Sequence, residues 1–409
     1  MFEIPRYDFN MNRVARKRPA EPAWTNDLAI DSARAQRTSL DIDRRRGRGA
    51  ASNPSGRFEV QARTEIDDGW QSLDDLPPFR TEVIEEKARR IITRNDSPDI
   101  GFDRSINPYR GCEHGCVYCF ARPSHGYLGL SAGLDFESKL FAKPDAAALL
   151  ARELQAPGYQ AKTIALGTNT DPYQPIERHY QITRGILEVL ARADHPVAIV
   201  TKSALVRRDI DILAPMAAKG LAKVAISLTT MDGRLARTLE PRAAAPAKRL
   251  ETIKALAAAG IPVTVLVAPI IPALNDGEIE RILDAAKAGG AGEAGYVMLR
   301  LPHELKDLFR EWLVQNYPDR YRHVLSLVRE MRGGKDYDPE WGKRGRGEGP
   351  YAWMIGRRFE TTCARLGLNR RSFRLRTDLF VRPPRHNEQL SLFGDLPLMR
   401  LPAGRRDAA

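Results

Sequence analysis

The stretch NPYRGCEHGCVYCF at residues 107–120 places Cys112, Cys116 and Cys119 in a C-x3-C-x2-C pattern. Cysteine thiolates hold iron–sulfur cubes, and four of them are the usual complement. A compact loop can wrap three thiolates onto three irons, which leaves the fourth iron open to a small molecule, much as catalytic zinc sites keep one position open. Gly111 and Gly115 allow the backbone to bend tightly around such a cube. The motif predicts a catalytic [4Fe–4S] cluster.

Two other interpretations of the cysteines remain open on spacing alone. They could bind zinc together with His114 or His125, because C-x2-C spacing is common in zinc sites. They could also be buried thiols that pack as small hydrophobic side chains. Three of the four cysteines fall within eight residues, which is not a disulfide framework and indicates a reducing compartment and a metal site. The fourth, Cys363, is isolated, and we expect it to be a buried, inert thiol.

Beyond the cysteines, apolar runs of strand character alternate with helical patterns. Continuous apolar strands separated by helices are typical of a parallel sheet with right-handed crossovers. With one strand before the cysteines, near Ser105–Tyr109, the pattern predicts an α/β fold of about six β/α units, an incomplete (β/α)6 TIM-like barrel. The later predicted strands are Thr163–Leu166, Val197–Thr201, Val224–Leu228, Val263–Ala268 and Tyr296–Leu301. The predicted helices are Pro144–Leu154, Thr183–Ala193, Leu205–Ala218, Ala247–Ala259 and Gly277–Ala288.

Segments of different composition flank the predicted barrel. Residues 1–60 are rich in Arg, Ser, Asn and Gly, include RRRGRG at 44–49 and lack an apolar period, so we expect a basic, largely disordered extension. The pattern TEVIEEKARRIITR predicts a helix within Phe79–Arg94. We therefore divide the chain into the extension, a barrel at 61–301, a helical C-terminal extension at 302–370 and a basic flexible tail at 371–409.

The formal net charge of +12 is concentrated at the two ends of the chain. Residues 1–60 contain 12 Lys/Arg and 8 Asp/Glu, and residues 341–409 contain 15 and 6. Such segments suit nucleic acid, since Lys and Arg release counterions from phosphates, although solubilising tails would have the same composition. No stretch reaches the ~18 apolar residues of a membrane span. The N-terminal MFEIPRYDFN is unlike a secretory signal, so we expect a cytoplasmic protein that does not bind membranes.

The cysteine loop, with an aromatic residue just before its last cysteine, resembles that of the radical S-adenosylmethionine (radical SAM) superfamily. The wider similarity, from about Ser105 to Leu301, is to the spore photoproduct lyase-like group, often labelled DNA repair photolyases. Its other segments are GTNTDPYQPIE (167–177), VTKSALVRRD (200–209), ISLTTMDGRLARTLEPR (226–242) and VAPIIPALND (267–276). Together with these segments, the loop favours an iron–sulfur cluster over zinc.

The resemblance implies a cofactor pair and a set of binding residues. In the superfamily the open iron of a [4Fe–4S] cluster binds the methionine part of SAM, and the reduced cluster cleaves SAM to a radical that abstracts hydrogen from a substrate. An electron donor such as flavodoxin or ferredoxin is implied as a partner. The implied SAM contacts are Tyr118 against the adenine, Lys202 at the carboxylate, Ser227 as a second polar contact, and Thr168 and Asn169 near the amino group. A lysine charge suits a carboxylate, and the carboxyl ends of parallel strands converge on one mouth.

Ordinary structural roles would also explain these polar residues. They are a solvated strand-end lysine at Lys202, a turn cap at Ser227, and Asx-turns at Asn169 and Asp171. We expect Glu240 to pair with Arg242 or Lys202 as scaffold, and we assign it no catalytic role.

The chain departs from spore photoproduct lyase at two positions. The lyase has a fourth cysteine near the end of its second strand, which returns a hydrogen atom to the product radical, whereas this chain has Gly167 or Thr168 there. The lyase also has tyrosines on both sides of the third cluster cysteine, and this chain has Tyr118 and Phe120. We therefore predict a radical SAM enzyme that is not a spore photoproduct lyase. Its substrate could be a nucleic-acid lesion, a modified nucleotide or a protein side chain.

The last recognisable motif is Gln389-Leu390-Ser391-Leu392-Phe393. It resembles the short peptide with which bacterial DNA polymerases and repair proteins dock on the sliding clamp. Alternatively, its apolar residues pack the tail onto the catalytic domain. A different class of function also remains open, namely a nucleic-acid-binding or clamp-recruited accessory protein whose metal cluster is structural.

Overall fold

The computed structural model describes residue 40 and residues 45–59, 79–370 and 372–383. Ten strands are present in this part of the chain: β1 (Glu82–Glu85), β2 (Ile92–Arg94), β3 (Arg104–Ile106), β4 (Tyr109–Arg110), β5 (Lys139–Ala142), β6 (Ile164–Leu166), β7 (Val197–Thr201), β8 (Ala222–Ser227), β9 (Val263–Ile270) and β10 (Glu293–Met298). The described α-helices are α1 (Asp135–Ser138), α2 (Ala146–Leu154), α3 (Glu177–Tyr180), α4 (Ile182–Arg192), α5 (Ile210–Ala218), α6 (Gly233–Leu239), α7 (Pro246–Ala258), α8 (Ile279–Ala288), α9 (Leu305–Asn316), α10 (Tyr321–Glu330) and α11 (Gly349–Leu366). Short 3-10 helices lie at Arg122–Leu128, Ala204–Asp209, Asp276–Glu278 and Pro318–Arg320. None of the described helices is long and apolar enough to span a bilayer.

The main sheet contains seven strands in the order β10-β9-β8-β7-β6-β3-β2. The six from β3 to β10 in this order are parallel, and β2 pairs antiparallel with β3 at one edge. Helices connect the parallel strands, which is the arrangement that right-handed crossovers require. The predicted incomplete (β/α)6 barrel is therefore confirmed, and the strand Val197–Thr201 has the predicted bounds.

The core lies between the sheet and its covering helices. All three residues of β6 are buried, and Ile186, Leu187 and Leu190 of α4 are fully buried against the sheet side of the molecule. Each such side chain contributes roughly 1.5–3 kcal/mol relative to exposure. The apolar runs read from the sequence are thus the strands that the helices cover.

A second, three-stranded sheet positions the cysteine loop. Its order is β1-β5-β4, with β1 parallel and β4 antiparallel to β5. Strand β4 ends at Arg110, so the chain enters the cysteine loop directly from a hydrogen-bonded strand. The start of the loop is thereby fixed against β5.

The helix predicted within Phe79–Arg94 is absent, and strands β1 and β2 occupy that segment. Its apolar residues include β-branched Val83, Ile84 and Ile92, which favour strands. Val83 pairs with Leu140 of β5, and Ile92 pairs with Ile106 of β3. Pairing with strands distant in sequence therefore outweighs the local helical pattern.

The structure also differs from the expectation of disorder at residues 45–59. This segment contains turns rather than helices or strands, and Arg48, Ala50 and Ser52 within it are buried. Its basic, glycine-containing composition hides this packing, because hydrogen bonds rather than an apolar period attach it to the fold.

At the other end of the chain, residues 372–383 cross the amino ends of the parallel strands. Phe373 donates its N–H to Glu293 at the start of β10 (2.8 Å). The Arg376 N–H bonds the Gly220 carbonyl before β8, and the Val381 N–H bonds the Ala193 carbonyl before β7 (both 2.9 Å). The clamp-like motif at 389–393 lies outside the described residues.

Candidate active site

The backbone of the cysteine loop depends on two glycines. Gly111 and Gly115 have φ values of 72° and 67°, in the left-handed region that side chains disfavour. A Cβ on Gly115 would also lie 2.8 Å from the Glu137 carboxylate. The Cys112 N–H donates to the Phe136 carbonyl at 2.9 Å, which ties the first cysteine to the helix after the loop. The loop is thus bent at Gly111 and Gly115 and anchored between them by the hydrogen bond of Cys112.

The three loop cysteines are unpaired thiols in a largely buried environment. Cys112 and Cys116 are buried and Cys119 is half-buried. Burial, Asp171 and the two neighbouring cysteines all raise the pKa of Cys112. Burial raises the pKa of Cys116 to about 12, although the Lys202 ammonium acts in the opposite direction. The thiols are therefore mutual neighbours, and the charge of Lys202 acts on one of them.

The segment after β6 packs against the entrance to the cysteine loop. Thr168 and Asn169 are half-buried there, and the Asn169 N–H donates to the Asn107 side chain at 3.2 Å. Gln174 bridges the loop, because its amide donates to the Gly111 carbonyl (3.1 Å) and its oxygen accepts the Glu113 N–H (3.0 Å). The carboxyl end of β6 and the cysteine loop thus form one hydrogen-bonded unit.

Lys202 and Ser227, at the ends of β7 and β8, lie on the same side of the sheet as the loop. The Lys202 ammonium lies 5.7 Å from the centre of the Tyr118 ring, within range of a cation–π interaction. The Ser227 hydroxyl donates to the Ala268 carbonyl of β9 at 3.1 Å. The structure therefore brings Lys202, Tyr118 and Cys116 together, while Ser227 is held by the next strand.

Glu240 is the centre of a buried network that the sequence did not reveal. Its carboxylate accepts hydrogen bonds from Tyr118, from Thr229 at 2.6 Å and from Arg249. Burial alone would raise the pKa of Glu240, but Arg249 and Lys202 lower it to about 2, so the group stays ionised. Of the two expected partners, Lys202 acts on Glu240 electrostatically, whereas Arg242 pairs with Glu113 at 2.9 Å instead. Arg249 was missed because its position in α7 resembles that of any helical arginine.

Asp171 forms the expected Asx-turn and contacts two other parts of the site. Its carboxylate accepts the Tyr173 N–H at 2.9 Å, and it also accepts the Lys202 N–H at 2.8 Å. His114 of the cysteine loop lies 3.4 Å from the same carboxylate. Burial would raise the pKa of Asp171, but His114 and the hydrogen bonds from the Lys202 N–H and the Thr201 hydroxyl lower it to about 2. Asp171 therefore ties the loop to the end of β7.

The two histidines considered as zinc ligands have other partners. His114 lies against Asp171, and the His125 ring bonds the Lys139 carbonyl at 2.9 Å. Among the described residues, no three His, Cys, Asp or Glu side chains are arranged to hold one metal ion. In an iron–sulfur cube each thiolate binds a different iron, so its ligands stand further apart than those of a single ion.

Gly167 is one of the two positions at which the fourth cysteine of spore photoproduct lyase would fall in this chain. Its φ is 85°, and a Cβ at this position would lie 1.9 Å from the Val200 carbonyl oxygen. A cysteine at position 167 would therefore collide with the backbone of β7.

Exposed aromatic rings and arginines line the outside of the cysteine loop. Phe120 is 45% exposed, and the Arg300 guanidinium lies 4.9 Å from its ring centre. The Phe58 and Tyr127 rings pack at a tilt of 30° with their centres 5.0 Å apart, and the Arg57 guanidinium lies 5.0 Å from the centre of the Phe58 ring. We call these five residues the aromatic strip.

The aromatic strip lies where the segment after the third cysteine meets the segment after β10. Arg57 donates to the Pro123 carbonyl at 3.4 Å and pairs with Glu304 at 3.2 Å. Arg300 and Phe120 join the same segments, one after the third cysteine and one after β10. The Arg300 guanidinium donates to the Tyr337 hydroxyl at 3.3 Å and acts electrostatically on the Asp99 carboxylate, whereas its buried Nε has no hydrogen-bond partner among the described residues. The strip thus offers flat apolar faces beside two guanidinium groups.

Comparison with known proteins agrees with this geometry. The model of the radical SAM superfamily matches residues 106–286. An uncharacterized protein of Mycobacterium tuberculosis (strain ATCC 25618 / H37Rv) is 40% identical over 240 residues, which cover 58% of this chain and 69% of the relative. An uncharacterized protein of Methanocaldococcus jannaschii is 28% identical over 251 residues, which cover 60% of this chain and 88% of that protein.

The fold is similar to that of a cysteine-to-serine mutant of spore photoproduct lyase. The TM-score is 0.50 at 14% sequence identity, over 76% of this chain and 87% of the lyase chain. At this identity the likeness concerns the fold alone. With its matching domain, its partial barrel and its three-cysteine loop at the carboxyl ends of the strands, the chain belongs to the radical SAM superfamily.

Proposed function

We propose that this radical SAM enzyme acts on a nucleic acid, with Cys112, Cys116 and Cys119 as the ligands of its [4Fe–4S] cluster. The observation that carries the cofactor assignment is the meeting of Cys116, Tyr118 and Lys202 where parallel strands end, and the aromatic strip carries the choice of substrate. The superfamily implies both the cluster and SAM as cofactors. When bound and reduced, this pair supplies an organic radical that removes a hydrogen atom from a substrate.

The residues fit such a cluster by their chemistry. The loop offers three thiols that are free of disulfides. Burial and neighbouring acidic groups raise the pKa values of Cys112 and Cys116, which favours their protonated state while no metal is bound. A coordinating metal deprotonates a thiol outright, and the nearby Lys202 ammonium favours the resulting negative charge. Glycines with positive φ give the loop its bend. Cys363 is buried in the core, where burial raises its pKa to about 11, and it takes no part in the site.

The remaining site residues would bind and orient SAM. Lys202 supplies a positive charge for a carboxylate, and Tyr118 supplies an aromatic face whose hydroxyl is held by Glu240. Thr168 and Asn169 have hydroxyl and amide groups that can accept hydrogen bonds from an amino group, and the Ser227 oxygen retains lone pairs for a further contact. Glu240 and Arg249 hold this arrangement from behind by their buried ion pair.

The aromatic strip supports nucleic acid over a protein side chain as the substrate. Aromatic rings on which bases stack, next to arginines that attract phosphates, are typical of surfaces that bind single-stranded nucleic acid. The Arg300 guanidinium lies beside the ring of Phe120, which directly follows Cys119. Neither Gly167 nor Thr168 has the thiol with which spore photoproduct lyase returns a hydrogen atom, and a side chain at residue 167 would collide with β7. We therefore propose a nucleic-acid repair or modification reaction that differs from the one spore photoproduct lyase catalyses.

The test combines cofactor analysis with product analysis. Anaerobically reconstituted protein should contain about four irons and four sulfides per chain. After reduction it should convert SAM to 5′-deoxyadenosine, measured by liquid chromatography. Replacing Cys112, Cys116 and Cys119 together by Ala should abolish both properties, while Cys363→Ala is the matched control and should retain them. Stoichiometric zinc without sulfide in the native protein would contradict the cluster.

The proposed nucleic-acid substrate is tested by a separate measurement. Damaged and undamaged DNA and RNA oligonucleotides are incubated with the reduced enzyme and SAM, and their masses are compared. A mass change in one of them supports the proposal. SAM cleavage with no change in any nucleic acid would overturn the substrate assignment and leave the radical chemistry intact.

A further inference from the structure

Residues 48–54 pack against the cysteine loop and against Glu137 of α1, and we call them the strap. The strap lies outside residues 106–286, which match the family. The N–H groups of Gly49 and Ala50 each donate to the Glu137 carboxylate at 2.8 Å. The Arg48 guanidinium donates to the Glu137 carbonyl at 2.6 Å. Three consecutive residues of the strap thus bind one residue of α1.

Glu137 connects the strap to the cysteine loop through Arg122. These two side chains form an ion pair in which both are fully buried. Arg122 uses its five N–H groups on five acceptors, which include the carbonyls of Cys116 (2.8 Å) and Gly115 (3.2 Å). Because an unpaired buried charge is costly, Arg122 and Glu137 hold each other in place. The carbonyls of the cysteine loop are therefore fixed by a pair that the strap covers.

The strap also touches the loop directly. A Cβ on Gly49 would lie 1.7 Å from the Gly115 carbonyl oxygen, so the two backbones meet without room for a side chain. A Cβ on Gly133 would lie 2.2 Å from the Ser52 carbonyl oxygen. The strap crosses the fold at two points where only glycine fits, which places its backbone closely against the loop between Cys112 and Cys116.

A second connection reaches the residue after Cys112. Arg48 donates to the Thr81 hydroxyl at 3.1 Å, and that hydroxyl donates to the Glu113 carboxylate at 2.5 Å. Further along, Ser52 donates to Glu311 of α9 at 2.6 Å, which attaches the strap to the C-terminal helices. The strap is therefore held at both ends and in the middle.

We propose that the strap is a positioning element for the cluster: it holds the backbone of the cysteine loop in the shape that retains the iron–sulfur cube. This inference rests on the proposed function, since it takes Cys112, Cys116 and Cys119 as the ligands. A docked strap keeps the Gly115 and Cys116 carbonyls fixed and covers the loop from behind. When the strap leaves, the Glu137–Arg122 pair is uncovered, and the loop releases its cluster faster.

The test uses Gly49→Ala, whose methyl group cannot fit while the strap is docked. The matched control is Gly101→Ala, because a Cβ on Gly101 would meet nothing within 4 Å. Strap release is read from trypsin cleavage after Arg48, whose side chain is buried in the docked state. Cluster retention is read from the loss of visible absorbance to an iron chelator under anaerobic conditions. Thermal unfolding checks that the barrel remains folded.

In Gly49→Ala we expect rapid cleavage after Arg48 and about tenfold faster cluster loss, since overpacking a close contact displaces the backbone. Gly101→Ala should match the wild type in both measurements. Cleavage after Arg48 with wild-type cluster retention would overturn the inference, and so would an Arg48 that stays protected. If Gly49→Ala does not fold, Arg48→Lys decides by the same two readouts, because lysine keeps the trypsin site but cannot make the three guanidinium hydrogen bonds to Glu137, Phe79 and Thr81. Wild-type protein without iron and sulfide would overturn the proposed function as well, which separates the two failures.

Discussion

Lys202 combines a strand-end position with contacts to both an aromatic ring and a buried carboxylate network. Its ammonium faces Tyr118, and its charge helps to keep Glu240 ionised. A solvated lysine at the end of a strand would have neither contact. Lys202, which the family resemblance assigns to the SAM carboxylate, is therefore also a residue whose positive charge is held in place by its neighbours.

If Lys202 binds the SAM carboxylate, Lys202→Ala should weaken SAM binding by about 1.5–3 kcal/mol, the range for hydrogen bonds to charged groups. The cluster should remain, because Lys202 is not one of its ligands. Equilibrium dialysis of SAM against cluster-loaded protein measures the change. Lys219→Ala is the control, since Lys219 is exposed, pairs with Asp194 and precedes the amino end of β8. Wild-type affinity in a cluster-loaded Lys202→Ala protein would remove Lys202 from the site.

At the residue scale, the C-x3-C-x2-C spacing singled out the cysteines, and the family resemblance singled out Lys202 and Ser227. Both of the latter lie where strands β7 and β8 end, and such ends meet at the mouth of a parallel sheet. The partners that hold them are different. Arg249 and Glu137 act through contacts between residues 9 and 88 positions apart, and no local pattern distinguishes a buried helical arginine from an exposed one.

At the scale of elements, strands β6 to β9 could be predicted because each reads as an apolar run, buried at every position in β6 and at roughly alternate positions in β7, β8 and β9. Strands β1 and β2 could not, because they are short, mostly exposed and stabilised by pairing with β5 and β3. The strap could not be predicted either, because its backbone N–H groups, rather than its side-chain pattern, attach it to Glu137.

The aromatic strip joins the 3-10 helix after the cysteines to the segment after β10, and its rings should stack on bases. Phe120→Ala and Tyr127→Ala should each weaken binding of a single-stranded oligothymidine by about 1–3 kcal/mol, the usual contribution of one stacked base. Arg300→Gln should lower the slope of log affinity against log salt by about 0.7, the contribution of one phosphate contact in a single strand. Fluorescence anisotropy over a salt series measures both effects.

Two control substitutions distinguish binding at the aromatic strip from non-specific binding elsewhere on the surface. Trp353 is a 69% exposed aromatic residue on α11, and Arg376 is exposed near the amino end of β8. Trp353→Ala and Arg376→Gln should leave oligothymidine binding unchanged. An oligonucleotide without bases should bind wild type and Phe120→Ala equally. Equal losses in the strip variants and the control variants would argue against a defined surface.

For the whole molecule, the excess positive charge lies at the two ends of the chain rather than in its middle. The excess of Lys and Arg at residues 341–409 includes the segment that crosses the amino ends of the strands. Part of it is neutralised locally, as Arg376 pairs with Asp378 and Arg358 with Glu280. Net charge therefore overstates the positive surface at this end of the chain.

The motif at 389–393 gives a prediction for the intact protein, which we propose to be a sliding-clamp partner. A peptide covering residues 384–397 should bind a bacterial sliding clamp with weak to moderate affinity, since ordering a peptide offsets much of its contact energy. Replacing Gln389, Leu392 and Phe393 together by Ala should abolish binding in the same calorimetric titration. Equal binding by both peptides, or by neither, would return the motif to a packing role.

The path of residues 372–383 has a consequence for any protein that binds the motif. The last described residue, Pro383, precedes Gln389 by six positions, a span of at most about 20 Å even when fully extended. A binding partner would therefore be tethered behind the barrel, on the far side from the cysteine loop. Such a tether would raise the effective concentration of the enzyme beside the partner's DNA without occluding the mouth of the barrel. Recruitment and catalysis could then proceed at the same time, from opposite faces of one small protein.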